Sequence, residues 1–301
     1  MHRKDFIRTT ALIAGGSLLF RSGAWGRSAA AAAGKLELLR GNVGIYTERG
    51  GTMAFHLDPS GITVIDSQFP DTAARFMAEV RQQQDAPFHI LLNTHHHGDH
   101  TGGNSAFRGK VPQVFAHAHA AANLQAVATK NNTLEKQLLP DTTFTKSAKI
   151  RRDKERIRAA YFGRAHTNGD AVYHFEKANV AHVGDLVFNR RHPFVDRAYG
   201  ASLQSWMDVL DRIVRKYDRD TVFIFGHAAE GFRVTGSADD IRAFRDYIGR
   251  VLDFARQEIA AGKTKEAFLL HTSIPGVSEW KGDGIARPLA AAWEELTEAG
   301  R

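Results

Sequence analysis

This sequence predicts an α/β protein in which helices cover β-sheets, and three observations carry the prediction. Short apolar runs bounded by glycine and proline recur along the chain, and amphipathic stretches with helical spacing are interleaved with them. Metal-competent polar residues stand just past several of the apolar runs. Strands alternating with amphipathic helices bury their apolar faces by stacking in layers.

The elements follow in order. Gly44–Tyr46, Met53–Leu57 and Ile62–Ile65 are apolar runs punctuated by Gly50-Gly51 and Pro59-Ser60-Gly61, the pattern of a strand meander. Asp71 is expected to cap a helix carrying Phe76 and Val80, and Phe88–Leu92 is the next strand. Ser202 caps a longer helix in which Leu203, Trp206, Leu210, Ile213 and Tyr217 share one face. A further helix runs from about Asp239 to Ala261, with Ile241, Phe244, Ile248, Leu252, Ala255 and Ile259 aligned and Gly262 as its stop. These stripes are core faces. From Lys35 onward no linker, repeat or composition shift interrupts the chain, which predicts a single domain over residues 34–301.

The 301 residues are 43% apolar and 24% charged, which excludes a disordered or collagen-like chain. Cysteine is absent, so disulfides, thiolate nucleophiles and Cys-ligated metals are excluded. Fifteen histidines exceed the needs of an ordinary chain this long and are the first sign of metal chemistry. The formal charge of +7 misleads, because residues 1–33 contribute +4 of it through Arg3, Lys4, Arg8, Arg21 and Arg27 against Asp5. The remaining +3 is too mild to predict nucleic-acid or membrane binding. A small-molecule substrate is therefore the expected partner, and no sequence feature sets an oligomeric state.

Residues 1–33 have the three-part layout of a cleaved export signal: a basic start, the apolar stretch Ala11 to Phe20, and the small residues Ala29 to Ala33. Ten apolar residues fall well short of the ~20 that span a bilayer, so no stable membrane anchor is expected. Arg3-Lys4-Asp5-Phe6-Ile7-Arg8 resembles the twin-arginine export motif, with Lys4 in place of the second arginine. The expected location is periplasmic or secreted.

The chemistry concentrates in Asn93-Thr94-His95-His96-His97-Gly98-Asp99-His100-Thr101-Gly102-Gly103-Asn104, directly after the run Ile90-Leu91-Leu92. His166, Asp185 and His227 each follow another strand-like run near a glycine, so four strand ends are expected to deliver imidazole or carboxylate to one rim. In extended backbone His95 and His97 point the same way and His96 the opposite way, so the pair can grip one ion. Asp99 and His100 follow as the chain turns and can reach a second. Imidazole and carboxylate without thiolate suit Zn(II), with Fe(II), Mn(II) and Co(II) as alternatives.

His95-x-His97-x-Asp99-His100, a lone His166, the Gly184-Asp185 pair and the Gly226-His227 pair, in that order, resemble the metallo-β-lactamase-fold superfamily. The resemblance implies a single-domain four-layer αββα sandwich. It implies one metal on His95, His97 and His166, another on Asp99, His100 and His227, and Asp185 bridging the two. Asp66 matches that superfamily's early strand-terminal aspartate and is expected to stand behind the ligands. The implied activity is a dinuclear hydrolase with two Zn(2+) per chain, Fe or Mn being alternatives. A metal-bridging hydroxide would attack a carbonyl ester, lactone, thioester or amide, with Asp99 orienting it. The alternatives on the same fold are β-lactam hydrolysis and a mononuclear-iron thiol or persulfide dioxygenase. The familiar lactamase subclasses carry cysteine or serine where Asp185 stands, which ranks β-lactam hydrolysis second.

The other histidines have plainer roles. His96, His117, His119, His174 and His182 are expected as scaffold or surface groups. Arg190, Arg191 and His192 lie in a loop that follows Asp185 and can overhang the site, and the sequence leaves open whether they are substrate contacts. The basic run Lys146, Lys149, Arg151, Arg152, Lys154, Arg156 and Arg158 reads as a solvated face.

Overall fold

The computed structural model describes residues 34–152, 155–282 and 284–298, so the export segment expected over residues 1–33 lies outside the described residues. The first sheet takes its seven strands in chain order: β1 (Lys35–Arg40), β2 (Val43–Thr47), β3 (Met53–His56), β4 (Ile62–Ile65), β5 (Phe88–Asn93), β6 (Val114–His117) and β7 (Thr142–Phe144). Pairing is antiparallel from β1 to β4 and parallel from β4 to β7. The second sheet holds β8 (Ser147–Arg152), β9 (Glu155–Tyr161), β10 (Ala171–Phe175), β11 (Val180–Asn189), β12 (Val222–Ala228) and β13 (Thr235–Gly236), again in chain order.

Alternation along the strands decides which layer each side chain enters. Ile90 and Leu92 of β5 join Val43, Ile45, Ile65, Ile157, Tyr173, Val180 and Ile224 in a core between the sheets. Leu91, one residue out of phase, faces the other way with Val64, Phe55 and Tyr46, and Phe88 joins it because the β4–β5 register shifts by one residue between Phe88 and Ile90. There they meet Phe76 and Val80 of helix α1 (Pro70–Gln83). With both faces covered, β4 and β5 are mostly apolar, interrupted by Thr63 in β4 and His89 in β5.

Two short or peripheral helices follow on the first sheet, α2 (Gly98–Thr101) and α3 (Ala118–Lys130). The second sheet is covered by α4 (Leu203–Lys216), α5 (Ala238–Ala260), the short α6 (Lys265–Phe268) and α7 (Ala286–Glu298). Trp206, Phe244 and Leu289 from three of these helices pack on Val183, Leu186 and Val187. Three apolar cores thus separate four layers, in the helix–sheet–sheet–helix order expected. Each fully buried large apolar side chain contributes about 1.5–3 kcal/mol.

Ser202 caps α4 as its sequence predicts, its hydroxyl accepting from the Ser205 N–H. Gly262 follows α5 with φ +72°, the left-handed stop that glycine permits. Asp71 is corrected: the helix begins at Pro70, so Phe69 occupies the cap position and Asp71 lies inside the first turn. Pro70 starts that helix because its fixed φ suits the first position and no N–H is needed there. Thr72 takes over the capping role, its Oγ1 accepting from the Phe69 N–H at 3.0 Å.

Asp185 and His227 are also relocated, from strand ends to strand interiors. The β11–β12 ladder shifts register between His182 and Gly184 and again before Phe188, then resumes to Asn189. The pairing therefore outlasts the apolar run that marked its start. Gly184 makes the first shift with φ +54°, and a Cβ there would lie 2.8 Å from Thr94. The bulge turns the next side chain, Asp185, toward the first sheet.

Candidate metal centre

The turn after β5 is held open from behind by uncharged pairing. Asn93 and Asn104 exchange amide hydrogen bonds at 3.1 and 2.8 Å, and Thr101 Oγ1 donates to the His97 carbonyl at 3.0 Å. Asp66, at the end of β4 with φ +61°, accepts from the Thr94 N–H at 2.8 Å and from the Thr94 hydroxyl at 2.7 Å. It also accepts from His100 Nδ1 at 2.7 Å. It stands behind the ligand positions, as expected.

All seven residues expected at the centre meet. His95 Nε2 lies 3.0 Å from His97 Nδ1, and His166 Nε2 lies 2.9 Å from the same atom. On the other side, His227 Nε2 is 3.1 Å from Asp99 Oδ2, and His100 Nε2 is 3.5 Å from His227 Nε2. Asp185 sits between the two groups: Oδ1 is 3.0 Å from His100 Nε2, and Oδ2 is 3.4 Å from both His166 Nε2 and His227 Nε2. The coordinating atoms of His95, His97, His166 and Asp185 lie within 4.8 Å of one another, as do those of Asp99, His100 and His227.

Hydrogen bonding on the far side of each ring settles what faces inward. His166 Nδ1 lies 2.9 Å from the Phe194 carbonyl, which can only accept, so that nitrogen carries the proton. His97 Nε2 likewise donates to Asp196 Oδ2 at 2.8 Å. The Thr94 hydroxyl is spent on Asp66, so His95 Nδ1 donates to Thr94 Oγ1 at 3.0 Å. Three bare lone pairs then face one another at about 3 Å, which is repulsive without a cation among them. The Oδ1 of Asp185 is buried with no aligned hydrogen-bond donor, although His100 Nε2 is close. The donor set fits divalent metal ions, with each ring held by the carboxylate, hydroxyl or carbonyl behind it.

The electrostatics divide the centre. Burial, reinforced by the neighbouring imidazoles His100 and His97, holds His95 well below the usual imidazole range; burial likewise brings His166 down to about 3. Burial acts on His227 and His100 in the same sense but is overridden by carboxylates. Asp185 and Asp99 raise His227 to about 9, and Asp185, Asp99 and Asp66 hold His100 well above its usual range. Burial works to raise Asp185 and Asp99, yet His227 and His100 hold Asp185 well below the carboxylate range, and His100 with His227 brings Asp99 to about 2.

A cavity of about 860 Å³ opens over this centre, lined among others by His97, Asp99, Asp185 and His227. Of the loop residues whose role the sequence leaves open, Arg191 and His192 line it and Arg190 does not. Arg190 instead pairs with Glu279 at 2.9 Å and lies over the Trp280 ring, bracing the loop from outside. Its φ of +56° turns its side chain away from the alternation that would aim it inward.

Two supporting residues escaped the sequence reading, Asp196 and Thr94. Thr94 lies inside the histidine-rich stretch, and a hydroxyl next to a ligand was its signal. Asp196 has no local motif, and its signal was only the general need of a ligating imidazole for an acceptor on its second nitrogen. His96, expected as scaffold, is buried against Tyr199 with Nε2 3.5 Å from Asp196. His182 is scaffold as well, joining the Thr52 carbonyl at 3.0 Å and accepting from the Gly184 N–H.

Comparison with known proteins follows the same lines. A family model described as the Metallo-beta-lactamase superfamily matches residues 51–227. The metallo-beta-lactamase IND-1 of Chryseobacterium indologenes is 26% identical over 153 residues, covering 50% of this chain and 60% of its own. The lactamase-like protein aptB of Emericella nidulans is 27% identical over 166 residues, covering 54% and 48%. The chain thus spans about half to three fifths of these relatives' length. A metallo-beta-lactamase structure from Pontibacter korlensis superposes with a TM-score of 0.60 at 18% identity, covering 72% of this chain and 99% of the other, a likeness of fold.

Proposed function

The chain belongs to the metallo-beta-lactamase superfamily, and from that premise we propose a dinuclear zinc-dependent hydrolase of esters, lactones, thioesters or amides. One observation carries the reading: two groups of donor atoms share Asp185, on the floor of a cavity of substrate size. His95, His97 and His166 would hold one ion, Asp99, His100 and His227 the other, with Asp185 common to both.

When bound, two divalent ions supply Lewis acidity, which makes water nucleophilic near neutral pH and draws charge from a substrate carbonyl. The side chains do the rest. Asp99 is ionised throughout the neutral range and, of the carboxylates in the ligand set, is the more open to the cavity, with 30% of its side chain exposed against 4% for Asp185. Its carboxylate accepts a hydrogen bond from the attacking water and orients it toward the substrate carbonyl. Asp196 and Thr94 keep the His97 and His95 rings in the tautomers that leave their lone pairs inward. Phe188 stacks on the His227 ring at 5.3 Å and excludes water from that side.

The test is metal quantification on protein purified without added zinc, followed by a panel of a lactone, a thioester, a carboxyl ester and a β-lactam. The similarity to a named metallo-beta-lactamase puts the β-lactam in that panel as a cyclic amide. Zinc near two per chain with turnover of any carbonyl substrate is the expected result. One iron per chain with thiol-dependent oxygen uptake would replace this reading with the dioxygenase.

A further inference from the structure

The wall of the cavity opposite the ligand turn is built from two stretches far apart in sequence. Arg191 and Lys281 are joined in a parallel backbone bridge. The Lys281 N–H donates to the Arg190 carbonyl at 2.9 Å, and the His192 N–H donates to the Lys281 carbonyl at 3.2 Å. Arg287, in the first turn of α7, lays its guanidinium 5.5 Å from the centroid of the exposed Phe194 ring. That ring in turn lies 5.3 Å from the His97 ring. Arg191, Lys281 and Arg287 all line the cavity that holds the candidate ligands.

Among the described residues none of these three cations is in an ion pair, whereas the adjacent Arg190 is claimed by Glu279 and Asp240. Among the described residues Glu230 is the one carboxylate of the lining that is not in the ligand set. A concave wall carrying an excess of one charge focuses its field on the space it encloses. Arginine adds a planar fork matched to an oxyanion, and the stacking on Phe194 orders that fork in advance.

Resting on the hydrolase reading and narrowing it, we propose that the substrate carries an oxyanion, a carboxylate or a phosphate-type group, clamped by Arg191, Lys281 and Arg287. Phe188 and Phe194 hold the apolar carbons between the anion and the scissile bond. Two of the three cations, Lys281 and Arg287, lie beyond residue 227, where the family match ends.

The test compares three substrates on the zinc-loaded protein: 4-nitrophenyl pentanoate, the glutarate half-ester of 4-nitrophenol, and the corresponding phosphonate. The kcat/KM ratio of an anionic over the neutral ester is expected at about tenfold or more, falling with added salt. Arg287→Met and Lys281→Met should each cut that ratio by about tenfold, and Lys130→Met, which lies outside the cavity lining, should not. Whichever anionic ester has the larger ratio identifies the group. A ratio of one, or a ratio that neither cavity substitution changes, overturns the proposal. If no ester is turned over, the hydrolase reading is judged by the wider panel above, and the clamp by calorimetry with glutarate and inorganic phosphate. Binding to the Lys281→Met/Arg287→Met double variant about tenfold weaker than to the unsubstituted protein supports it, and equal affinity overturns it.

Discussion

The two halves of the centre each take two residues from the turn after β5 and are held in opposite ways. His95, His97 and His166 are an all-imidazole group, and each ring is fixed from behind by Thr94, Asp196 or the Phe194 carbonyl. Asp99, His100 and His227 include a carboxylate, and only His100 has such a support, from Asp66. His227 rests on the face of Phe188, and among the described residues its Nδ1 makes no hydrogen bond. Burial keeps two rings of the first group proton-free, while carboxylates keep the second group's rings charged until an ion displaces the proton. The first half is expected to retain a cation longer than the second.

The largest effect is expected where the halves meet. Asp185→Ala should lower turnover by at least about a thousandfold, since an ion supplies several kcal/mol and each 1.36 kcal/mol is a factor of ten. Metal analysis of the same variant should find both ions weakened; loss of only one would mean that Asp185 serves a single half. The next effect tests the asymmetry itself. Stepwise removal by a chelator should take one ion from the unsubstituted protein before the other. His227→Ala should keep the slowly released ion and His97→Ala the quickly released one. A single release rate for both ions would break the comparison.

A smaller change isolates the support behind one ring. Asp196→Asn can still accept from His97 Nε2 but no longer as a carboxylate, and metal affinity of the first half should fall about 10–100-fold. The fold should be retained, because the Tyr199 N–H that bonds Asp196 Oδ1 also reaches the Asp196 backbone carbonyl at 3.1 Å, which leaves the single amide oxygen for His97. Equal weakening of both halves would show that Asp196 acts on the loop rather than on the ring.

The smallest effect concerns histidines outside the centre. His56, His117 and His174 are held below the usual imidazole range chiefly by burial. Below about pH 6.5 the unfolded chain then binds more protons at these sites than the folded one, so their contribution is full above that pH and is lost as pH falls. The denaturation midpoint of chelator-treated protein should drop between neutral and mildly acid pH. His56→Phe, which keeps the ring beside Phe175, should make that drop shallower.

Much of the fold and all seven expected positions of the centre were legible because local spacing reports local geometry. The alternation of Ile90, Leu91 and Leu92 fixes which side chain faces which core, and a His-x-His pair in extended chain can face only one way. What escaped was set by contacts across long separations. Asp196 reaches His97 from 99 residues away, and Arg190 is drawn off the cavity by Glu279, 89 residues on. No window along the chain contains both partners of either pair. The register shift at Gly184 was hidden for a different reason: a bulge is a property of two strands, and only one of them was in view.

The ligand groups also share a pattern of origin. Each draws two donors from the turn after β5 and its third from the second sheet's side, His166 ahead of β10 or His227 in β12. Asp185 comes from the second sheet as well. A half-folded chain with either sheet formed alone could offer an ion no more than two strong donors at any one place. Tight ion capture therefore reports that the sheets have docked, and a bound ion in turn opposes their separation, acting as a clasp across the interior.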